Sequence, residues 1–359
     1  MAGSRHHVIP QFMLRGFASH AKGEAVYTWV HRKGSTPFNP NVLNVAVESE
    51  FYTNDGSSEV DDLVTAGEGD FGLTVHRLRT TGDLASVAAT DVARLIAHLE
   101  VRTRHLRTNF EAMATSILGQ VLAFVEDEVK LTGFILREMK KDPDLLAREA
   151  EKDLREKGIP AKKAAQLVRS LRPQMDRIVR LKMPEAVRGI GVNFRRFVTE
   201  RPDGVRPNVR AAQLRALKND IAPKAKVALY SDMEYTLLRM PEKNLPLGDS
   251  VVVAHVDSPR KYKSFVSSDD PLIGIYLPIA PGLAVCGRPR GVGVASIDLP
   301  FAVAQCANEL FVSHRRGGDF DALHQRIGER SVLYSDAEIG EILSDTFGHG
   351  FVDGGDVTP

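Results

Sequence analysis

Hydrophobic and polar residues follow two different periods along the chain, and the changes of period divide it into zones. Residues 24–52 carry short β-branched and aromatic runs around a Lys-Gly-Ser turn, which predicts a β-hairpin or a small sheet. Helical spacing of apolar residues predicts an amphipathic helix over about 60–78 and a longer helical zone over 83–134. Residues 143–222 alternate apolar and charged positions between prolines, which predicts shorter helices joined by turns.

After Pro223 the pattern changes to short β-rich runs. Strands are predicted at 227–230, 235–238, 250–253, 272–277 and 282–286. One more helix is predicted over 299–312. The zones together predict an α+β fold, with an N-terminal β-hairpin region, a central helical bundle and a C-terminal mixed β-rich unit.

The same pattern predicts four segments along the chain. Residues 1–135 form the N-terminal β-hairpin with its helices, and 136–222 form a basic helical segment that is a candidate insertion. Residues 223–315 form the C-terminal β-rich unit. Residues 316–359 end in a Gly- and Asp-rich stretch and are expected to be a peripheral tail.

Composition places the chain among ordinary globular proteins. Its 359 residues are 43% apolar, which is enough for a sizeable core. Cys286 and Cys306 are its two cysteines and form no CxxC pair, so a reducing compartment is expected. The N-terminus lacks the apolar run of a signal peptide, and no later stretch has the apolar length of a membrane span. We therefore expect a cytoplasmic protein without a membrane partner.

The net charge of +1 conceals an uneven distribution of charge. Residues 137–226 contain 24 Lys and Arg against 12 Asp and Glu, whereas the rest of the chain contains 23 against 34. A basic surface of this kind predicts binding of DNA or RNA through the segment 158–226. Two alternatives remain open: these basic helices bind the acidic flanks, or they are simply solvated faces.

Several separated motifs resemble one bacterial family. They are His6-His7-x-x-Pro10-Gln11-Phe12-x-Leu14-Arg15-x-Phe17-Ala18, Asn44-Val45-Ala46-Val47-Glu48-x-x-Phe51-Tyr52, the acidic helix from Asp61 to Glu68, Ile96 to Thr103, Leu247 to Val251 and Leu277 to Pro281. As an ordered set they are similar to the domain-of-unknown-function family 4238 over most of residues 6–313. The resemblance implies membership of that family but no activity, because the name of the family records that none is established.

The first motif is also similar to the opening half of HNH or ββα-metal nuclease motifs. That resemblance implies that His6 binds a divalent metal, Mg²⁺ or Mn²⁺, and that His7 is the general base for the attacking water. Glu48 is a second candidate metal ligand, next to a strand. Three asparagines are candidates for orienting the base, namely Asn39, Asn41 and Asn44. The chain departs from the nuclease pattern because no second histidine ligand follows soon after.

Three further polar residues are candidate catalytic groups. His98 and Arg102 are four residues apart, so they share one face of a helix and are suited to hold a phosphate together. Glu68 lies on the preceding acidic helix. The structural alternative is a buried polar network in which Arg102 pairs with Glu68 and a backbone carbonyl and locks the helices to the N-terminal sheet.

No nucleotide cofactor is expected, because neither GxGxxG after a strand nor GxxxxGK[ST] is present. The leading hypothesis is a metal-dependent nuclease or a related nucleic-acid-processing enzyme. A role in bacterial defence against mobile elements is a further hypothesis, which rests on the general kind of protein and on no particular residue. The alternative hypothesis is a non-catalytic module that binds nucleic acid or protein, in which the same histidines are structural.

Overall fold

The structure is a computed structural model that describes residues 5–53, 58–200, 204–293 and 295–348. The chain divides into two compact units. The first contains residues 1–111 and 206–333, and the second contains 112–205 and 334–359. The first stretch of the second unit, 112–205, begins and ends earlier than the predicted basic segment 136–222. Its second stretch, 334–359, is part of the predicted tail. The four predicted segments stay a prediction about how the chain is organised.

The described residues contain both strands and helices, and most of the strands lie in the N-terminal and C-terminal parts of the chain. The strands are β1 (Arg5–His7), β2 (His20–Lys22), β3 (Ala25–Tyr27), β4 (Trp29–Arg32), β5 (Val47–Ser49), β6 (Met233–Arg239), β7 (Leu247–Gly248), β8 (Val253–Val256), β9 (Tyr262–Lys263), β10 (Leu272–Ala280), β11 (Leu283–Pro289) and β12 (Leu310–Ser313). The helices are α1 (Gln11–Arg15), α2 (Glu59–Thr81), α3 (Ala89–Val101), α4 (Arg104–Glu126), α5 (Glu128–Lys141), α6 (Leu145–Glu156), α7 (Ala161–Thr199), α8 (Val205–Asn219), α9 (Lys224–Ser231), α10 (Leu299–Cys306), α11 (Asp319–His324) and α12 (Asp336–Phe347). The predicted α+β class is confirmed.

Antiparallel pairing builds the sheets of the first unit. The largest sheet has the strand order β6-β11-β10-β8-β9, and a smaller one has the order β4-β12-β7. The strands β2 and β3 pair with each other, and β1 pairs with β5, so that His6 lies opposite Glu48 and His7 opposite Val47. The second extended stretch of the predicted hairpin region therefore pairs mainly with the N-terminal strand rather than with its neighbour in sequence.

The core of the first unit lies between these sheets and the helices α1, α2 and α3. Apolar side chains from all of them form one buried cluster that includes Ile9, Leu14, Val75 and Ile96. The helix α2 ends at Gly82, which has the left-handed φ of 61° that favours glycine as a C-cap. The predicted helix over 60–78 is confirmed by α2.

Three predictions of local structure differ from the structure of this unit, and the first is the strand predicted over 250–253, which begins only at Val253. Residues 227–230 lie in the helix α9 rather than a strand, because Pro223 starts the helix and Tyr230 is buried one turn after Val227. The helix predicted over 299–312 ends at Cys306, and β12 follows between β4 and β7. An apolar run of this length fits a buried strand as well as a helix, so periodicity alone does not separate them.

The second unit is helical in its described residues. Side chains from α4, α5, α7 and α12 form its buried cluster, which includes Phe124, Leu131, Val187 and Leu343. The helix α12 begins with a capping box between Ser335 and Glu338. The composition predicts a tail after residue 316, whereas the described part of this stretch contains α11 in the first unit and α12 in the second.

None of the helices that the structure describes is both long and apolar enough to cross a bilayer.

Candidate functional site

The His7 ring is held at the end of β1 in a single tautomer. Its Nδ1 lies 3.2 Å from the carbonyl oxygen of Val45, and a carbonyl only accepts, so Nδ1 carries the hydrogen. Its Nε2 is therefore unprotonated and accepts a hydrogen bond from the side-chain amide of Gln11 at 3.0 Å. Burial lowers the pKa of His7 below its usual 6.5, although the negative charge of Glu68 opposes this effect. At neutral pH the half-buried ring is uncharged and competent to accept a proton.

Arg102 follows the last residue of α3 and is the centre of a buried polar cluster. Its Nε donates to the hydroxyl of Tyr52 at 2.9 Å, and its Nη2 donates to the carbonyl oxygen of His7 at 2.9 Å. Its Nη1 contacts the carboxylate of Glu68 and lies 3.1 Å from Nε2 of His98. We call this set of five residues the Arg102 network. Because its members occupy four of the five guanidinium hydrogens, a phosphate would have to displace them to reach Arg102.

His98 is a buried acceptor within the Arg102 network. Its Nδ1 donates to the carbonyl oxygen of Ile221 at 2.8 Å, so Nε2 accepts from Arg102. The ring also stacks on Phe71, with 4.6 Å between the ring centroids. Burial and the neighbouring Arg102 charge lower the pKa of His98 to about 3, so the ring stays neutral at physiological pH. Both nitrogens are used inside the fold, and the side chain is fully buried.

Glu68 is the negatively charged member of the Arg102 network. It lies on α2, seven residues after Asp61, so the two carboxylates are on the same side of the helix. Its side chain is about one quarter exposed while that of Arg102 is fully buried. Glu68 therefore connects the buried guanidinium to the protein surface. Arg102 pairs with Glu68 and with a backbone carbonyl of β1, and these are the contacts that the structural alternative predicts.

His6 is only 4% exposed, and its ring centroid lies 5.4 Å from that of Tyr52, a member of the Arg102 network. Its Nδ1 accepts the backbone N–H of Tyr52 at 3.3 Å, which assigns the ring hydrogen to Nε2. That Nε2 lies 3.5 Å from Oδ1 of Asp61. In this tautomer neither nitrogen offers a free electron pair to a metal ion. A metal ligand role for His6 would require the Tyr52 contact to break.

Glu48 lies directly opposite His6 across β1 and β5, yet its side chain has other partners. One carboxylate oxygen is 3.3 Å from Nε of Arg104 and the other is 3.9 Å from Nη1 of Arg107. Among the residues that the structure describes, no three His, Cys, Asp or Glu side chains are grouped as a metal site requires. The pair His6 and Glu48 does not fit a divalent ion in this arrangement, and the predicted Mg²⁺ or Mn²⁺ stays a prediction.

The three asparagines considered for orienting the base have separate contacts. Asn44 accepts from Arg5, Asn41 caps the turn at Val42–Asn44, and Asn39 donates to Ser19. The carbonyl of Val45, directly after Asn44, orients His7 instead. A backbone group leaves no signature in the sequence, so this role is not readable from residue types.

Sequence reasoning assigned no role to three residues that contact the candidate groups: Gln11, Tyr52 and Asp61. All three occur within the motifs quoted above, and that was the available signal. Tyr52 and Asp61 both contact His6, which lies 46 or more positions away from each of them in the chain. Only the tertiary structure brings such pairs together.

The fold and the site define an α+β protein in which two histidines of a short N-terminal strand lie against a buried arginine network. The family model described as "Protein of unknown function (DUF4238)" matches residues 5–297. The chain therefore belongs to the DUF4238 family, as its motifs predict. Neither the curated proteins nor the solved structures contain a match to this chain.

Proposed function

We propose that this protein hydrolyses phosphodiester bonds in nucleic acid, with His7 as the general base. The observation that carries the proposal is the fixed tautomer of His7, whose Nδ1 donates to Val45 and whose unprotonated Nε2 accepts the Gln11 amide. Such a ring accepts a proton from water as the water oxygen attacks phosphorus. The oxygen–phosphorus bond forms, the opposite ester bond breaks, and the departing alkoxide takes up a proton from the solvent.

The side-chain amide of Gln11 stands where the attacking water would bind. It donates to Nε2 of His7 at 3.0 Å, which is the same hydrogen bond that a water molecule would make. Gln11 is half-buried and lies on the first turn of α1. The proposal therefore requires the Gln11 side chain to move when substrate and water enter.

The proposed substrate contact is the basic segment 158–226, which binds the phosphates of DNA or RNA through Lys and Arg. Several of its arginines already have acidic neighbours, such as Arg172 with Asp144. Exposed pairs of this kind are weak and exchange readily for a phosphate. Dependence on Mg²⁺ or Mn²⁺ and a role in defence against mobile elements belong to the same proposal.

The test is cleavage of supercoiled plasmid, single-stranded DNA and RNA by the purified protein with Mg²⁺, with Mn²⁺ and with EDTA. We expect His7→Ala to reduce the cleavage rate by about 10²-fold or more, which is the range for loss of a general base. The matched control is His20→Ala, which removes an exposed histidine of β2. Wild-type cleavage that persists in His7→Ala, or a wild-type protein inert under every condition, contradicts the proposal.

A second candidate function is a non-catalytic module that binds nucleic acid or protein. The observation that favours it is the Arg102 network, in which the guanidinium and His98 use their polar atoms inside the fold. In that case the histidines stabilise the module and perform no chemistry. His7→Ala would then lower the melting temperature and leave the nucleic-acid affinity of the folded protein unchanged. The wild-type protein would show no cleavage activity.

A further inference from the structure

The outward face of α7 carries an apolar stripe that the basic composition of this segment does not explain. Five apolar residues on it are between 37% and 70% exposed, namely Leu167, Leu171, Ile178, Leu181 and Val192. The opposite face of α7 is buried against its own unit through Met183 and Val187. The helix thus has one apolar face inside the unit and an apolar stripe in solvent, while two further exposed apolar residues, Ile190 and Phe197, lie off the stripe.

The spacing of the stripe is that of a coiled-coil seam. With Leu171 as position a of a heptad, positions a and d from residue 167 to residue 192 are Leu167, Leu171, Gln174, Ile178, Leu181, Glu185, Arg188 and Val192. Five of these eight are the exposed apolar residues. Between Pro173 and Pro184, the two prolines inside α7, a repeat of 3.5 residues keeps Ile178 and Leu181 in contact with a second helix, whereas a lipid or a nucleic acid demands no such register. The spacing therefore favours a helical partner.

Charge decides what kind of helix fits beside the seam. In α7 every charged residue at positions e and g is basic: Lys163, Arg177, Lys182 and Arg196. Lys182 makes an exposed contact of 2.7 Å with Glu185 one turn away, which is weak enough to exchange. A second copy of α7 would place these like charges near one another, which disfavours self-association. An acidic partner would pair with them.

We propose that the outward face of α7 binds an acidic amphipathic helix of another protein, with apolar residues at its a and d positions and Asp or Glu at e and g. The contact goes beyond the proposed hydrolysis, because it depends on the apolar stripe of α7 and needs none of the His7 chemistry, although the basic residues beside the stripe belong to the segment proposed to bind nucleic acid. Polar Glu185 and Arg188 within the seam fix the register by requiring oppositely charged partners.

The probe is a synthetic four-heptad peptide with Leu at a and d and Glu at e and g, titrated against the full chain by fluorescence anisotropy. The comparison peptide has Lys at e and g. We expect the Glu peptide to bind and the Lys peptide to bind at least tenfold more weakly. The double variant Ile178→Asp with Leu181→Asp should weaken the Glu peptide at least tenfold. Both side chains are more than half exposed, so the folded state should tolerate the change.

The matched control is the double variant Leu63→Asp with Leu73→Asp, which adds the same charges at two exposed leucines of α2. It should bind the Glu peptide as the wild type does. A second double variant, Arg177→Glu with Lys182→Glu, should reverse the preference in favour of the Lys peptide. That reversal separates a charge-matched seam from simple hydrophobic adhesion.

Several outcomes would overturn the proposal. Absence of binding by the Glu peptide, or equal binding of both peptides, contradicts it. A dimer in analytical ultracentrifugation that Ile178→Asp with Leu181→Asp abolishes would make a second copy the occupant. Binding of an oligonucleotide or of phosphatidylglycerol vesicles that the same variant abolishes, without binding of the peptide, would assign the face to those ligands instead.

Discussion

The Arg102 network of the first unit and the outward face of α7 in the second use basic side chains in opposite ways. Arg102 is fully buried and donates to four partners of its own unit. Arg177 and Lys182 of α7 are exposed. A buried charge is tolerated only when it is paired and hydrogen-bonded, whereas an exposed one is stabilised by water. Basic residues therefore hold one region together and leave the other open to partners.

The largest effect should come from removing the buried guanidinium. Arg102→Met leaves Glu68 and the Tyr52 hydroxyl without their partner, so we expect the free energy of unfolding to fall by about 3–5 kcal/mol. Urea denaturation measures the change. The matched control is Arg172→Met, which removes an exposed arginine paired with Asp144 and should change the free energy by less than about 1 kcal/mol. Equal losses in both variants would erase the distinction between the two regions.

The second-largest effect should be a loss of stability at acidic pH, which comes from His98 in the Arg102 network. The native pKa of His98 is lowered from 6.5 to about 3, so the unfolded chain binds a proton that the native ring refuses. The stabilising effect of the neutral ring is complete above pH 6.5 and is lost as the pH falls below it. Between pH 7.5 and pH 5 the loss from His98 alone should be about 2 kcal/mol.

Denaturation at these two pH values measures that loss. In His98→Gln the difference between the two pH values should shrink by about 2 kcal/mol, because an amide does not titrate. His20→Gln, which changes an exposed histidine, should keep the wild-type difference. An unchanged difference in His98→Gln would show that the ring is not the group responsible.

The smallest effect should come from a helix cap in the second unit. Asp127 accepts the backbone N–H groups of Val129 and Lys130 and so begins α5. Asp127→Ala should lower the free energy of unfolding by about 1 kcal/mol, and Asp127→Asn by less, since an asparagine also caps. Thermal unfolding of both variants checks the order. Equal destabilisation by both would mean that charge rather than capping matters there.

Some features of these two regions could be predicted from the sequence and others could not. Motifs and helical spacing singled out His7, Glu68, His98 and Arg102, and the structure brings these four together in the first unit. The same spacing argument recognised α2, because an amphipathic helix writes its period into the chain. Local reasoning was wrong for residues 227–230 and 307–312, where strand and helix share a short apolar pattern.

The roles within the site were harder to predict than its members. His6 and His7 are neighbours in sequence, yet one accepts a backbone N–H of Tyr52 and the other donates to the carbonyl of Val45. Those contacts span about 40 residues and use main-chain atoms that every residue possesses. Residue type gives the chemistry that a side chain can perform, but a tautomer is selected by whichever group lies opposite each nitrogen.

By itself the sequence determined the α+β class, the family, the candidate residues and the concentration of basic charge in the middle of the chain, because composition, periodicity and motifs are local properties. The tertiary structure decided that Arg102 is an internal cross-link, that His6 and Glu48 have different partners, and that α7 turns a second apolar face to solvent. Burial and hydrogen-bond partners depend on residues distant in the chain, and for that reason only the folded arrangement sets them.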